Sequence, residues 1–195
     1  YDVTNISNKL YTEKDFTFSG SAEVKGTDAG TYDMELKASD FANTNADFSK
    51  VKFVIVDGTL TISKREVTLT SATDSKEYDG TALTNDTVTV GGDGFVEGEG
   101  ATYKVTGTQT NVGKSKNTFT YELNGNTKAI NYTITTAEGE LEVTPVTDEV
   151  VVTITERSGT AKYDGKEHTV TGYDVTNISN KLYTDCLLYT SDAAD

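Results

Sequence analysis

The sequence predicts an all-β chain built from tandem, elongated, β-sandwich-like (Ig-like) units, with β-grasp-like units as the alternative. Three observations carry the prediction. Threonine supplies 35 of 195 residues, while proline occurs once and tryptophan not at all. A chain rich in β-branched side chains favours extended backbone. Apolar residues recur at every second position rather than at helical spacing. The pattern also repeats along the chain, as it does where one supersecondary unit is copied in tandem.

Two periods are nested. Tyr1 to Thr12 read YDVTNISNKLYT, and Tyr173 to Thr184 read the same twelve letters 172 positions later. At an offset of 85, Val67-Thr68-Leu69 aligns with Val152-Thr153-Ile154, and Tyr78-Asp79-Gly80 with Tyr163-Asp164-Gly165. The closing segments Asp57 to Ser63 and Glu138 to Thr144 also correspond. Two unit types of about 86 residues, A and B, therefore alternate. Residues 1–63 are expected as a type A unit without its opening strands, the missing part matching Val150 to Gly172 of the later copy. Residues 64–146 form a complete type B unit, and 147–184 begin a second type A unit. Pro145 lies at one seam, where its fixed φ and missing N–H suit a junction. Lys64-Arg65 mark the other seam. Residues 1–63 should leave an open sheet edge, and 147–184 should be poorly packed.

Each element follows from alternation and turn chemistry. In type A, Tyr32-Asp33-Met34-Glu35-Leu36 reads as a strand corresponding to Phe119-Thr120-Tyr121-Glu122-Leu123 of type B, with Lys114 to Asn117 inserted before the latter. Ala38 to Phe48 breaks the alternation and reads as a loop with room for one helical turn, anchored by Phe41 and Phe48. In type B, Val67-Thr68-Leu69 opens the unit. Val88-Thr89-Val90, Tyr103-Lys104-Val105, the Phe119 strand, Tyr132-Thr133-Ile134 and Leu141-Glu142-Val143 follow. Threonine on the outward positions suits a half-buried sheet. Asp79-Gly80, Asp164-Gly165, Asp57-Gly58 and Asn124-Gly125 offer glycine where a tight turn needs positive φ. Gly91-Gly92-Asp93-Gly94 reads as a longer loop.

Residues 185–195 stand apart. The twelve-residue copies part at Glu13 in one and Asp185 in the other. The string from Cys186 to Asp195 resembles the translation of a transposase-based sequencing adapter. Its leading C would complete a Glu codon's GA as an Asp codon. Residues 185–195 are therefore read as a non-native, adapter-derived tail and set aside from fold reasoning. Without Asp185, Asp192 and Asp195 the acidic residues number 28 instead of 31, and the net charge becomes −11 instead of −14.

Charge and composition exclude several classes. A strongly acidic chain lacks the electrostatic footprint for nucleic acid or anionic lipid. No apolar run reaches the length of a membrane span. One Cys and one His cannot build a zinc site or an internal disulfide. No nucleophile stands beside a base, so no catalytic residue, cofactor or metal ligand is assigned and no enzymatic activity is expected.

Several residues invite a functional reading and have a plainer one. Tyr78-Asp79-Gly80 and Tyr163-Asp164-Gly165 read as turns whose Asp bonds nearby backbone and whose Tyr packs on the sheet. His168 is alone and exposed after its turn. Asp93, Glu97 and Glu99 offer oxygens for calcium but lack a recognised loop spacing. Lysines and asparagines abound, yet no spacing singles out a triplet for an isopeptide cross-link. Asn5-Ile6-Ser7, Asn85-Asp86-Thr87 and Asn131-Tyr132-Thr133 match the N-glycosylation pattern, which is frequent in a chain of this composition.

The Tyr-Asp-Gly motif and the closing Gly-x-Leu-x-Val/Ile strand resemble the bacterial YDG and MBG (mostly-β, glycine-rich) tandem repeat domains of Gram-positive cell-surface proteins. So do Thr27-Asp28-Ala29-Gly30-Thr31-Tyr32 and its counterpart Thr110-Asn111-Val112-Gly113. The resemblance covers residues 1–184. It implies a stalk or adhesin segment outside the cell, attached to the wall as part of a longer chain. Its partners would be neighbouring repeat units of the same chain, or, if the segment is a binding module, host glycan or glycoprotein.

Overall fold

In the computed structural model, which describes residues 1–183, the chain is all-β, as its alternation predicts. The tail from 185 onward, Cys186 included, lies outside the described residues. Compactness divides the chain into two discontinuous units. The first comprises Tyr1–Thr70, Val88–Lys104 and Thr120–Ala137; the second comprises Ser71–Thr87, Val105–Phe119 and the chain from Glu138.

The first unit contains the type A strands β1 (Phe16–Phe18), β2 (Gly30–Asp33), β3 (Phe41–Asn43) and β4 (Thr59–Ile62). Strand β1 pairs antiparallel with β3, and β2 with β4. Alternation holds Phe16, Phe18 and Phe41 on one side, where they form a ring cluster with Tyr1, Tyr11, Phe48 and Phe53. Tyr11 is buried there and donates its hydroxyl to the Asp15 carbonyl and the Asn43 amide oxygen, both at 3.0 Å.

Two details depart from the expected type A unit. Strand β2 stops at Asp33 because Glu35 takes φ = 57°, which breaks an extended run. The Ala38 to Phe48 stretch is one 3₁₀ turn, Ala38–Asp40, followed by a strand, so Phe41 anchors from β3 rather than from a loop. The phenylalanines themselves join the ring cluster as expected.

Most of the type B strands also lie in the first unit. Strand β5 (Arg65–Ser71) occupies the centre of a three-stranded sheet, flanked by β7 (Val88–Gly92) and by β11 (Tyr132–Ala137), the latter parallel. Val67 and Leu69 on β5 are 1% and 0% exposed. Strand β8 (Ala101–Val105) pairs with β10 (Phe119–Leu123).

The second unit holds a three-stranded sheet in which β12 (Glu140–Thr144) is central. Strand β6 (Asp74–Glu77) is parallel to it and β9 (Gly113–Lys116) antiparallel. Leu141 and Val143 of β12 form a core with Leu83, against which Tyr78 packs. The same unit contains a two-stranded ribbon of β13 (Val152–Glu156) and β14 (Tyr173–Ile178). Between residues 147 and 183 no residue is buried, in line with the expected loose packing.

The pairing register recurs at the spacing of the internal repeat. Gly30 stands opposite Ile62 in type A, and Gly113 opposite Val143 in type B. The register therefore makes Gly113–Lys116, not the Phe119 strand, the counterpart of β2, and residues 114–117 are no insertion. Likewise, the Ala72 N–H donates to the Thr87 carbonyl at 3.0 Å, and 85 positions on the Arg157 N–H donates to the Gly172 carbonyl at 3.2 Å. The β13–β14 ribbon is thus the type A version of β5–β7.

Candidate functional site

The two Tyr-Asp-Gly segments share one turn geometry. Gly80 and Gly165 take φ of 79° and 76°, a conformation that glycine adopts without steric cost. The Asp79 carboxylate accepts the Thr81 N–H at 2.9 Å, and the Asp164 carboxylate accepts the Lys166 N–H at 3.0 Å. Gly58 and Gly125, in the other two expected turns, do not take positive φ. At Asn124-Gly125 the turn closes by the Thr127 N–H donating to the Asn124 carbonyl, a geometry available at negative φ.

The side chains of the two motifs differ. Tyr78 lies on the Leu83–Leu141–Val143 core, whereas Tyr163 is 98% exposed. Lys76 Nζ is 2.7 Å from the Asp79 carboxylate and 2.7 Å from the Thr81 hydroxyl. The Lys76 ammonium, then the Thr81 N–H and hydroxyl, hold the Asp79 carboxyl well below the usual range. In the later motif the Asp164 carboxylate meets His168 Nε2 at 3.0 Å. Both side chains are about half exposed, four residues apart across one turn. His168 is therefore exposed, as expected, and belongs to the turn.

The acidic loop does not converge on a cation site. Asp93 accepts the Glu66 N–H at 3.0 Å, and Glu99 accepts the Tyr132 hydroxyl. Among the described residues no three acidic, His or Cys side chains come together to hold a metal.

Lysine, carboxylate and asparagine come together at Lys128, Asp28 and Asn131. Lys128 Nζ lies 2.8 Å from Asp28, and Asn131 Nδ2 donates to Asp28 at 2.9 Å. The Ala29 N–H donates to the Asn131 side-chain oxygen at 2.6 Å. Lys128 is 63% exposed, and its pairing with Asp28 raises its pKa. A solvated ammonium held protonated is an ion pair, not an amine ready to attack an amide. The group clasps the loop before β2 to the 3₁₀ turn Ala129–Asn131. Of the three glycosylation patterns, Asn5 is exposed. The Asn85 and Asn131 side-chain amides donate to Asp74 and Asp28.

The feature that sequence reading missed is a buried polar knot around Asn117, which is 0% exposed. Its amide nitrogen donates to the Ala72 carbonyl at 3.0 Å and the Asn85 carbonyl at 2.9 Å. Its backbone carbonyl accepts the Ser71 hydroxyl at 2.6 Å, and that hydroxyl accepts the Gly139 N–H at 3.0 Å. The knot satisfies backbone groups left over where the chain turns from β5 toward β6 and from β11 toward β12. The available signal was glycine placement. A Cβ on Gly139 would stand 2.3 Å from the Ala72 carbonyl oxygen, and one on Gly107 2.4 Å from the Asn117 side-chain oxygen.

Two surface hollows lie in the second unit. The larger, about 600 Å³, is lined by Ile154, Glu156, Arg157, Val170, Gly172 and Tyr173. The smaller, about 240 Å³, is lined by Tyr78, Val146, Val150, Asn180, Leu182 and Tyr183. Among the described residues no helix is long and apolar enough to cross a membrane. No protein-family model, no curated protein and no solved structure matches the chain.

Proposed function

We propose that this chain is a non-catalytic, structural repeat segment of a bacterial cell-surface stalk or adhesin, extracellular and attached to the wall through a longer protein. One observation carries the reading: the sequence period is also a pairing period. Gly30 opposite Ile62 recurs as Gly113 opposite Val143, although the intervening residues have diverged. A repeat whose pairing outlasts its sequence suits a length-generating array, where only contacts within and between adjacent units need be kept. The Asp28–Lys128–Asn131 clasp is such a contact, between a type A loop and a type B turn. The resemblance to YDG and MBG repeats points the same way. So does an acidic chain whose cysteine lies only in the adapter-like tail.

The test is location. Antibodies raised against the chain should label intact cells that express the full open reading frame, and brief protease treatment should strip the label. Labelling only after permeabilisation would refute the proposal. The alternative, a module binding host glycan or glycoprotein, draws on the exposed Tyr163 and Tyr173. Saturable binding on a glycan or glycoprotein array, lost on Tyr163→Ala or Tyr173→Ala, would favour it over the stalk.

A further inference from the structure

Five places in the chain put an acid or its amide directly before glycine. Asp57-Gly58, Asp79-Gly80, Asp93-Gly94 and Asp164-Gly165 carry a carboxyl there, and Asn124-Gly125 alone carries a carboxamide. A side chain of this length can close a five-membered ring onto the backbone nitrogen of the next residue. Glycine leaves that nitrogen unscreened because it has no Cβ. What else holds the side chain then decides whether the ring can form.

In the four Asp-Gly pairs the carboxylate is already engaged. Asp57 accepts the Leu36 N–H at 3.1 Å, Asp79 the Thr81 N–H at 2.9 Å, Asp93 the Glu66 N–H at 3.0 Å and Asp164 the Lys166 N–H at 3.0 Å. Asn124 differs. It is exposed in the turn after β10. Among the described residues neither its carboxamide nor the Gly125 N–H has a hydrogen-bond partner. A Cβ built on Gly125 would meet nothing within 4 Å, so the turn leaves the Gly125 backbone open to water. The neighbouring asparagines are tied down and precede threonine. The Asn117 amide donates to two carbonyls, and the Asn126 amide donates to the Gly98 carbonyl at 2.6 Å.

We propose that Asn124-Gly125 is a self-modification site, at which the folded chain converts Asn124 to aspartate and isoaspartate with water as the only co-reactant. Hydroxide takes the proton of the Gly125 N–H, and the nitrogen attacks Asn124 Cγ. The new N–Cγ bond closes a succinimide, the Cγ–Nδ2 bond breaks, and the nitrogen leaves as ammonia. Water then opens the ring at either carbonyl, giving aspartate or isoaspartate. Both products add a negative charge, and isoaspartate adds a methylene to the main chain. The change falls where the Thr127 N–H donates to the Asn124 carbonyl and the Asn124 N–H to the Gly100 carbonyl. The Thr127 hydroxyl also donates to the Gly100 carbonyl at 2.9 Å. The modified turn should therefore hold the acidic loop at Gly98–Gly100 less firmly. The site lies within the complete type B unit, and the inference does not rest on the stalk reading.

Timed incubation of the folded full chain in mildly alkaline buffer tests it, followed by tryptic digestion and mass spectrometry. The peptide running from Asn117 to Lys128 should gain the mass of an amide exchanged for an acid, and fragmentation should place the gain on Asn124. The gain should quicken as pH rises, because the attacking nitrogen must lose its proton. An isoaspartyl methyltransferase should label the same peptide. Gly125→Ala screens the nitrogen in a turn that has room for the methyl group, and should all but abolish the gain. Asn124→Gln, which cannot close the five-membered ring, should do the same. An unchanged peptide after incubation, a gain on Asn117 or Asn126 instead, or a rate indifferent to both substitutions would each overturn the proposal.

Discussion

Type B and the type A residues 1–63 have similar strands and very different cores. In type B, Val67, Leu69, Leu141 and Val143 are at most 1% exposed. In residues 1–63 only Tyr11 and Ala29 are buried, each at 8%, and the aromatic cluster stays half open. The difference is not composition, for the type A stretch has the larger aromatic cluster. It is the presence of a central strand. Strand β5 gives β11 a hydrogen-bonding partner; Val51–Val56 has the same alternation but pairs with no strand among the described residues. Alternation marks a segment as able to form a strand, but hydrogen bonding to a neighbour makes it one.

Substitutions can break this comparison in graded steps. The largest effect is expected where the core is closed. Leu69→Ala or Leu141→Ala should cost about 2–5 kcal/mol, read from urea unfolding, whereas Val54→Ala should stay within about 0.5 kcal/mol. Equal losses would mean that the two regions are equally packed. Next comes the polar knot. Asn117→Ala strips the Ala72 and Asn85 carbonyls of their donor and should cost about 2–3 kcal/mol. A neutral result would show that water replaces the amide.

The Tyr-Asp-Gly motifs sharpen the contrast at fixed sequence. Tyr78→Ala removes a ring from the Leu83–Leu141–Val143 core and should destabilise by about 1–2 kcal/mol. Tyr163→Ala, at a side chain 98% exposed, should leave the unfolding midpoint unchanged. The smallest effect is a pH dependence. The Asp79 carboxyl is held low in the folded chain, first by the Lys76 ammonium, so folding favours its ionised form. That contribution is complete above the unfolded pKa of about 4 and is lost as pH falls from there through the lowered folded value. Acid titration should show a modest decline of stability that Asp79→Asn weakens. An unchanged profile would mean that the exposed pair contributes nothing.

Much of the fold was legible in the sequence. Every type B strand marked by alternation is present, because period-two burial is a local property of an extended chain facing a core. Short polar strands escaped: β6, Asp-Ser-Lys-Glu, and β9, Gly-Lys-Ser-Lys, carry little apolar pattern and exist because β12 lies between them. The candidate site was less legible. Of the expected turns, Asp79-Gly80 and Asp164-Gly165 took the positive φ foreseen while Asp57-Gly58 and Asn124-Gly125 did not, and Gly91-Gly92 of the expected loop belongs to β7; the Asn117 knot joins four segments distant in sequence.

The twelve repeated residues separate the two kinds of information. In both copies the asparagine of Asn-Lys-Leu-Tyr builds the same turn. The Asn8 and Asn180 side-chain oxygens each accept, at 2.9 Å, the N–H of the leucine two residues on. Their carbonyls accept the tyrosine N–H at 3.1 and 3.2 Å. That much is written in the sequence, because donor and acceptor lie within four residues. The first six residues of the repeat are a strand in one copy, Tyr173–Ile178, and none in the other. The later copy has β13 beside it; the earlier has no such neighbour among the described residues. A strand's hydrogen bonds are made to another segment, so identical residues become a strand or not according to what the tertiary structure places beside them.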